Sequence, residues 1–397
     1  MEKPAIEGGK PVRENKIYYG RQWISEEDIA AVVGVLKSDY LTCGPKVSEL
    51  EKKLEEMLDV KHAVAVSNGT AALHCAMMAA GIGEGDEIIT TPLTFAASAN
   101  CALYCGAKVV FADVCEDSYN IDPAKIEECI TPRTKAVVAV DFTGQAAQLS
   151  EIREVCDRHG LLLVEDAAHS IGTLYDGKPV GGIADMTCFS FHPVKTVTAG
   201  EGGAITTNDD DLYRRLVNAH THGIVKRADL LEEKNAGPWW YEQQSLGYNY
   251  RLTDIQSALL ISQLERLGQF KARRQEIVKR YDEAFADLSE IIVQKEIGKS
   301  DTCRHLYIMQ LREGSLRCSR REFFNAMSAE GVQCQVHYIP VYWFPYYRDQ
   351  GYARGLCPVA EKIYQNSMSL PLYPKMSDAD VDSVIASVKK LVEYYRK

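Results

Sequence analysis

The sequence predicts an α/β fold, a seven-stranded and mainly parallel sheet with helices on both faces, followed by a smaller α+β part. Three observations predict it. Short apolar runs (His62–Val66, Glu87–Thr90, Lys108–Phe111, Lys135–Val140 and Leu161–Val164) alternate with helical periodicities, the pattern of parallel strands joined by helical crossovers. Two further runs, Thr187–Phe191 and Gly203–Thr207, bring the strands to seven. From about residue 290 the alternation gives way to two short strands, His305–Leu311 and Val332–His337, among the helices Arg320–Glu330, Val359–Ser367 and Asp378–Tyr395. The expected division is residues 1–255 as an N-terminal segment and large domain, and residues 256–397 as a linker helix and small domain.

Composition sets the bounds on function. With 397 residues, 46% of them hydrophobic, the chain is long enough for a large core and a second, smaller one. A net charge of −10 offers no general attraction to nucleic acid or to an anionic membrane. Twelve cysteines are scattered from Cys43 to Cys357 without a CxxC pair, which fits reduced thiols in a cytoplasm and no metal site. The apolar runs fall far short of the roughly 20 residues that cross a bilayer.

Taken in order, Met1 to Ile24 is polar and aperiodic, and Ser25-Glu-Glu-Asp28 caps a helix running to Leu36. The turn-rich Tyr40–Pro45 leads to an amphipathic helix, Lys46–Leu58, with Val47, Leu50, Leu54 and Leu58 on one face. After the strand at His62, Ser67-Asn68-Gly69-Thr70 opens a small-residue helix, Ala71–Ala80. Strand, glycine turn and helix start offer free N–H groups to a phosphate; Asn68 or Thr70 serves equally as a plain N-cap. Phe95, beyond the second strand, either stacks on a ligand ring or fills the core. Helices are expected at Ala96–Cys105, Pro123–Glu128 and Leu149–His159, and another from Asn208. Gly223–Ser245 has no period and reads as a long excursion. Helix Thr253–Leu267 follows, then Phe270–Phe285 with Lys271, Arg273, Arg274 and Arg280 as a solvated face. Arg317, Arg320 and Arg321 read as a charge cluster at a helix entry.

The chemistry gathers at Lys195 and Asp166. Lys195 lies in a loop between two buried strands, where lost hydration lowers its pKa and frees an amine able to form a Schiff base. Asp166 ends an apolar strand, and the carboxyl ends of strands are where α/β sheets bind ligands. A buried carboxylate there suits the pyridinium nitrogen of pyridoxal 5'-phosphate (PLP), which it keeps protonated. A strand-end Asp followed 29 residues later by a loop lysine is therefore a PLP pattern.

Glu165-Asp-Ala-Ala-His169, Ser190-Phe-His-Pro-Val-Lys195, Gly200-Glu-Gly-Gly203, Ser67-Asn-Gly-Thr-Ala-Ala-Leu73 and Gly247-Tyr-Asn-Tyr-Arg-Leu-Thr-Asp-Ile-Gln-Ser-Ala258 resemble the DegT/DnrJ/EryC1/StrS family of PLP-dependent sugar-nucleotide aminotransferases. The resemblance implies the aspartate-aminotransferase-like fold (PLP fold type I). It implies PLP on Lys195, with L-glutamate as amino donor, 2-oxoglutarate as its product and a nucleotide-linked keto sugar as acceptor. It further implies that His169, often Gln in the family, lies beside the cofactor 3-hydroxyl and that Ser190 joins Asn68, Gly69 and Thr70 at its phosphate; read by themselves, His169 is equally a histidine at a helix start and Ser190 a turn-closing hydroxyl. Asn249 would reach the phosphate in the neighbouring subunit, making a homodimer with shared sites. His169, His192-Pro-Val-Lys195 and Gln335-Val-His-Tyr-Ile-Pro-Val-Tyr342 are most similar to the branch that aminates C4 of a UDP-4-keto-6-deoxy-N-acetylhexosamine on the way to pseudaminic acid. The roles of His192, His337 and the 223–245 segment stay open.

Overall fold

In a computed structural model describing residues 2–234 and 237–397, helices α1 (Glu26–Leu36) and α2 (Pro45–Leu58) precede a strand-helix series. The series is β1 (His62–Val66), α3 (Gly69–Ala79), β2 (Glu87–Thr90), α4 (Ala97–Tyr104), β3 (Lys108–Phe111), α5 (Pro123–Cys129), β4 (Thr134–Val140), α6 (Leu149–His159) and β5 (Leu162–Asp166). A hairpin, β6 (Leu174–Tyr175) and β7 (Lys178–Pro179), is followed by β8 (Met186–Ser190), β9 (Gly203–Thr207) and α7 (Asp210–His220). The expected seven strands form one sheet in the order β1-β9-β8-β5-β4-β2-β3, with only β9 running against its neighbours. Both faces are buried, which is why these strands read as nearly unbroken apolar runs. Val64 and Val66 of β1 join one core layer, Ala63 and Ala65 the other.

The excursion after Gly223 holds a two-residue ladder, β10 (Ile224–Val225) with β11 (Glu242–Gln243). The Glu242 carboxylate gathers it, accepting from the N–H groups of Glu232 and Glu233 and from Trp240 Nε1. Helices α8 (Asp254–Glu265) and α9 (Leu267–Phe285) then lead to β12 (Ile291–Val293), β13 (Ser300–Asp301), β14 (Tyr307–Leu311), α10 (Arg320–Ala329), α11 (Pro345–Asp349), α12 (Pro358–Asn366), β15 (Ser367–Leu370) and α13 (Asp378–Tyr395). Strands β12, β14 and β15 make an antiparallel sheet over a separate core. The polar N-terminal stretch packs against this part: the buried Glu330 carboxylate accepts from Ala5 N and Val12 N, and Gln333 N donates to Ile17 O.

Three readings need correction. Val332–His337 is not a strand: Val332 bridges Ile17 and Gln335 bridges Ser369, each singly, so alternating burial here reflects a chain threaded between two partners. Ser367, read as a helix end, begins β15. Arg274 is not solvated but 1% exposed, its Nη1 donating to the carbonyls of Arg304, His305 and Leu372, whereas Lys271, Arg273 and Arg280 do pair with surface acids.

Candidate active site

The carboxyl ends of β4, β5 and β8 open into a cavity of about 910 Å³, lined among others by Asn68, Gly69, Thr70, Phe95, Asp166, His169, Ser190 and Lys195. All but one of the residues singled out from sequence therefore meet there. The exception is Asn249, whose side chain is exposed and outside the cavity of its own chain, although its neighbours Tyr248 and Tyr250 line it.

Lys195 is held by a loop closed on itself. Phe191 N donates to Gly202 O, Ala199 N donates to Phe191 O, and Lys195 N donates to His192 O at 2.9 Å. The fully buried Phe191 and Val197 anchor this loop in the core. Lys195 is half-buried, and burial lowers its pKa to about 8 while the Asp166 charge opposes the fall. Asp166 ends β5 buried, 5% exposed; Oδ2 accepts from Ser98 Oγ at 2.6 Å and Oδ1 from Ala168 N at 3.1 Å. Burial raises the Asp166 pKa, and those two donors with Lys195 hold it back.

In the same cavity Asn68 caps α3, its side-chain oxygen accepting from Ala71 N at 2.8 Å, so the capping reading holds for that side chain. The helix start presses against β8: a Cβ on Gly69 would lie 2.8 Å from Ser190 Cβ. Phe95 is 62% exposed and so is not a core aromatic. His169 is buried, with Nε2 3.3 Å from the Tyr338 hydroxyl. Burial, then the charges of Lys195 and His337, push it far below the ordinary imidazole value. His337, held by Ser369 Oγ at 2.7 Å, is lowered to about 4 by burial and Lys195.

These residues fit PLP. A buried carboxylate with two neutral donors has room for a cation, the His169 Nδ1 has no partner among the described residues, and the α3 N-terminus with Thr70 and Ser190 faces the same space as Lys195. Sequence reasoning missed Ser98, His305 and Tyr338. Ser98 hides in a small-residue helix, and the other two arrive from the C-terminal part, which no local motif ties to Lys195.

Comparison with known proteins agrees. The DegT/DnrJ/EryC1/StrS aminotransferase family matches residues 22–389. The chain is 42% identical to the Bacillus subtilis spore coat polysaccharide biosynthesis protein SpsC, covering 96% of this chain and 98% of that one. It is 37% identical to the Campylobacter jejuni UDP-4-amino-4,6-dideoxy-N-acetyl-beta-L-altrosamine transaminase, over 96% and 99%. Its fold is similar to that of Helicobacter pylori PseC, an aminotransferase involved in the biosynthesis of pseudoaminic acid, with TM-score 0.89, 32% identity and coverage of 96% and 100%. Matches over nearly the whole chain, on a site built for the cofactor, mean that this protein belongs to the DegT/DnrJ/EryC1/StrS family and is a PLP-dependent sugar aminotransferase.

Proposed function

We propose that the protein moves an amino group from L-glutamate to C4 of a UDP-4-keto-6-deoxy-N-acetylhexosamine, by a ping-pong mechanism of the pseudaminic acid pathway type. It does so in the cytoplasm, as a homodimer whose two subunits share each site. The observation that carries the chemistry is the half-buried Lys195 sharing one cavity with the buried Asp166, each biasing the charge of the other. The Campylobacter and Helicobacter relatives support the choice of sugar.

Bound PLP supplies the electron sink. Lys195 would hold it, and Asp166 would keep its ring nitrogen protonated while Ser98 and Ala168 N fix the carboxylate plane. His169 would meet the 3-hydroxyl, Phe95 would cover the ring face, and Gly69, Thr70 and Ser190 would take the phosphate, joined by Asn249 of the second subunit. Lys195 Nζ takes the proton from Cα of glutamate and delivers a proton to C4 of the sugar in the second half, work worth about 10²–10⁴ in rate. Burial lowers the Lys195 pKa to about 8, which favours the free amine more than in an exposed lysine.

The test is amino transfer from L-glutamate to a panel of keto sugar nucleotides, with 2-oxoglutarate and the amino sugar both quantified. The 4-keto UDP-N-acetyl sugar is expected to react best. The higher identity to a spore coat polysaccharide biosynthesis protein leaves room for a second reading, transfer to another nucleotide-linked keto sugar, at C4 of a different UDP-sugar or C3 of a dTDP-sugar. Preference for one of those acceptors would select it.

A further inference from the structure

Two buried imidazoles stand side by side in the lining of the cavity. His169 follows β5 and His305 precedes β14; their ring centroids are 4.5 Å apart, and each is less than a tenth exposed. Among the described residues, neither ring's Nδ1 has a hydrogen-bond partner. The other nitrogen of His169 meets, among the described residues, the Tyr338 hydroxyl at 3.3 Å. A ring held by one long hydrogen bond keeps its orientation through packing.

His305 is built in from the backbone. Its N–H donates to Thr143 O at 2.7 Å and its carbonyl accepts from the buried Arg274 at 3.2 Å. Between the two histidines lies Gly144, at φ +97°: a Cβ there would stand 2.9 Å from both the His169 carbonyl oxygen and His305 N, and 2.4 Å from Cys303 O. Only glycine lets these segments meet. The titratable groups facing the pair are Lys195 from the loop after β8, His337 and Tyr338 from the segment before α11, and, behind His305, Arg274 from α9. Lys195, His337 and Arg274 all oppose a proton on the imidazoles they face, and burial adds to this.

We propose that His305 is a positioning residue for His169: it fills the space behind that ring, fixes its plane and keeps it dry and uncharged while His169 faces the cofactor. The inference rests on the reading that PLP lies against His169, and deepens it by giving a task to a residue that need not touch substrate.

The test is an absorbance titration of the PLP-loaded enzyme, since the bound chromophore reads charge placed beside it. In the native protein and in His305→Phe, which restores a flat ring, His169 adds no step between about pH 5.5 and about pH 8.5. In His305→Ala water reaches the ring, and a new step is expected near the ordinary imidazole value of about 6.5. That step vanishes in His305→Ala/His169→Gln. His305→Asn, with a smaller void, is expected to give the same step and serves if the alanine variant does not fold. An unchanged titration in a folded, loaded His305→Ala or His305→Asn protein overturns the proposal, as does a new step that appears in His305→Phe or survives in the double variant. Borohydride trapping in each variant separates the two levels. A label on a lysine other than Lys195 removes the cofactor reading and the role of His305 with it, whereas a correct label with an unchanged titration removes the role of His305 alone.

Discussion

Ser98 Oγ donates to Asp166 Oδ2 at 2.6 Å, and because that hydroxyl has a single proton, its 2.7 Å contact with Thr94 Oγ1 runs the other way, with Thr94 donating. The two hydroxyls form a directed chain that ends on the carboxylate, beside the charge of Lys195. Asp166→Asn is expected to retain some cofactor but lose transamination by about ten- to a hundredfold, the equivalent of a charge-assisted hydrogen bond of about 1.5–3 kcal/mol. Steady-state kinetics of the loaded variant check this, and near-native turnover would show that Asp166 does not pair with the ring.

Lys195 is the expected attachment point. Borohydride reduction of the yellow holoenzyme, followed by peptide mapping, is expected to find the pyridoxyl group on Lys195 alone. The rate at which apoenzyme takes up PLP is expected to rise with pH and level off above about 8, where the free amine dominates. Since the Asp166 charge raises this pKa, Asp166→Asn is expected to move the midpoint lower. A midpoint near 10.5, the ordinary lysine value, would mean that burial does not tune the amine.

Asn249 tests the shared site. Co-expressed Lys195→Ala and Asn249→Ala subunits form heterodimers in which one site keeps both residues and the other loses both, so activity is expected to reappear on mixing. Verified heterodimers that stay at parental activity would assign Asn249 to its own chain.

Behind Asp166, Asp141 and Glu165 form a fully buried carboxyl pair that draws on Ser170 Oγ at 2.6 Å and Thr187 Oγ1 at 2.8 Å. Burial lifts Asp141 to about 7, and burial with the Asp141 charge lifts Glu165 well above the ordinary carboxylate value. Both folded values exceed the unfolded ones, so the folded state holds extra protons; the stability they give is complete below about pH 4 and drains as pH rises through 7. Glu165→Gln can still accept from Thr187 and cannot ionise. Its melting temperature is expected to fall less than that of the native protein between pH 5 and pH 8, in a calorimetric series, and parallel slopes would argue against the pair.

Gly144→Ala is expected to destabilise the fold by about 1–3 kcal/mol from its positive φ alone, with more from the 2.4 Å clash with Cys303 O. Urea unfolding measures it. A loss below about 0.5 kcal/mol would mean that the loop relaxes freely.

Short-range physics made much of this protein legible from the chain itself. Alternating apolar runs and helix periods, each decided by neighbours within a few residues, determined the seven strands and the crossover helices, and the strand-end Asp166 with the loop-borne Lys195 followed from where such a sheet exposes its strand ends. What the sequence could not decide were contacts between segments far apart in the chain. Ser98 reaches Asp166 across 68 positions and Tyr338 reaches His169 across 169, and no periodicity encodes either meeting. Arg274 reads as one more charge on a polar helix until the carbonyls of Arg304, His305 and Leu372 close around it. The Val332–His337 alternation promised a strand, yet a strand needs a partner over several residues, and only the tertiary structure decided that Ile17 and Ser369 would each offer a single bridge.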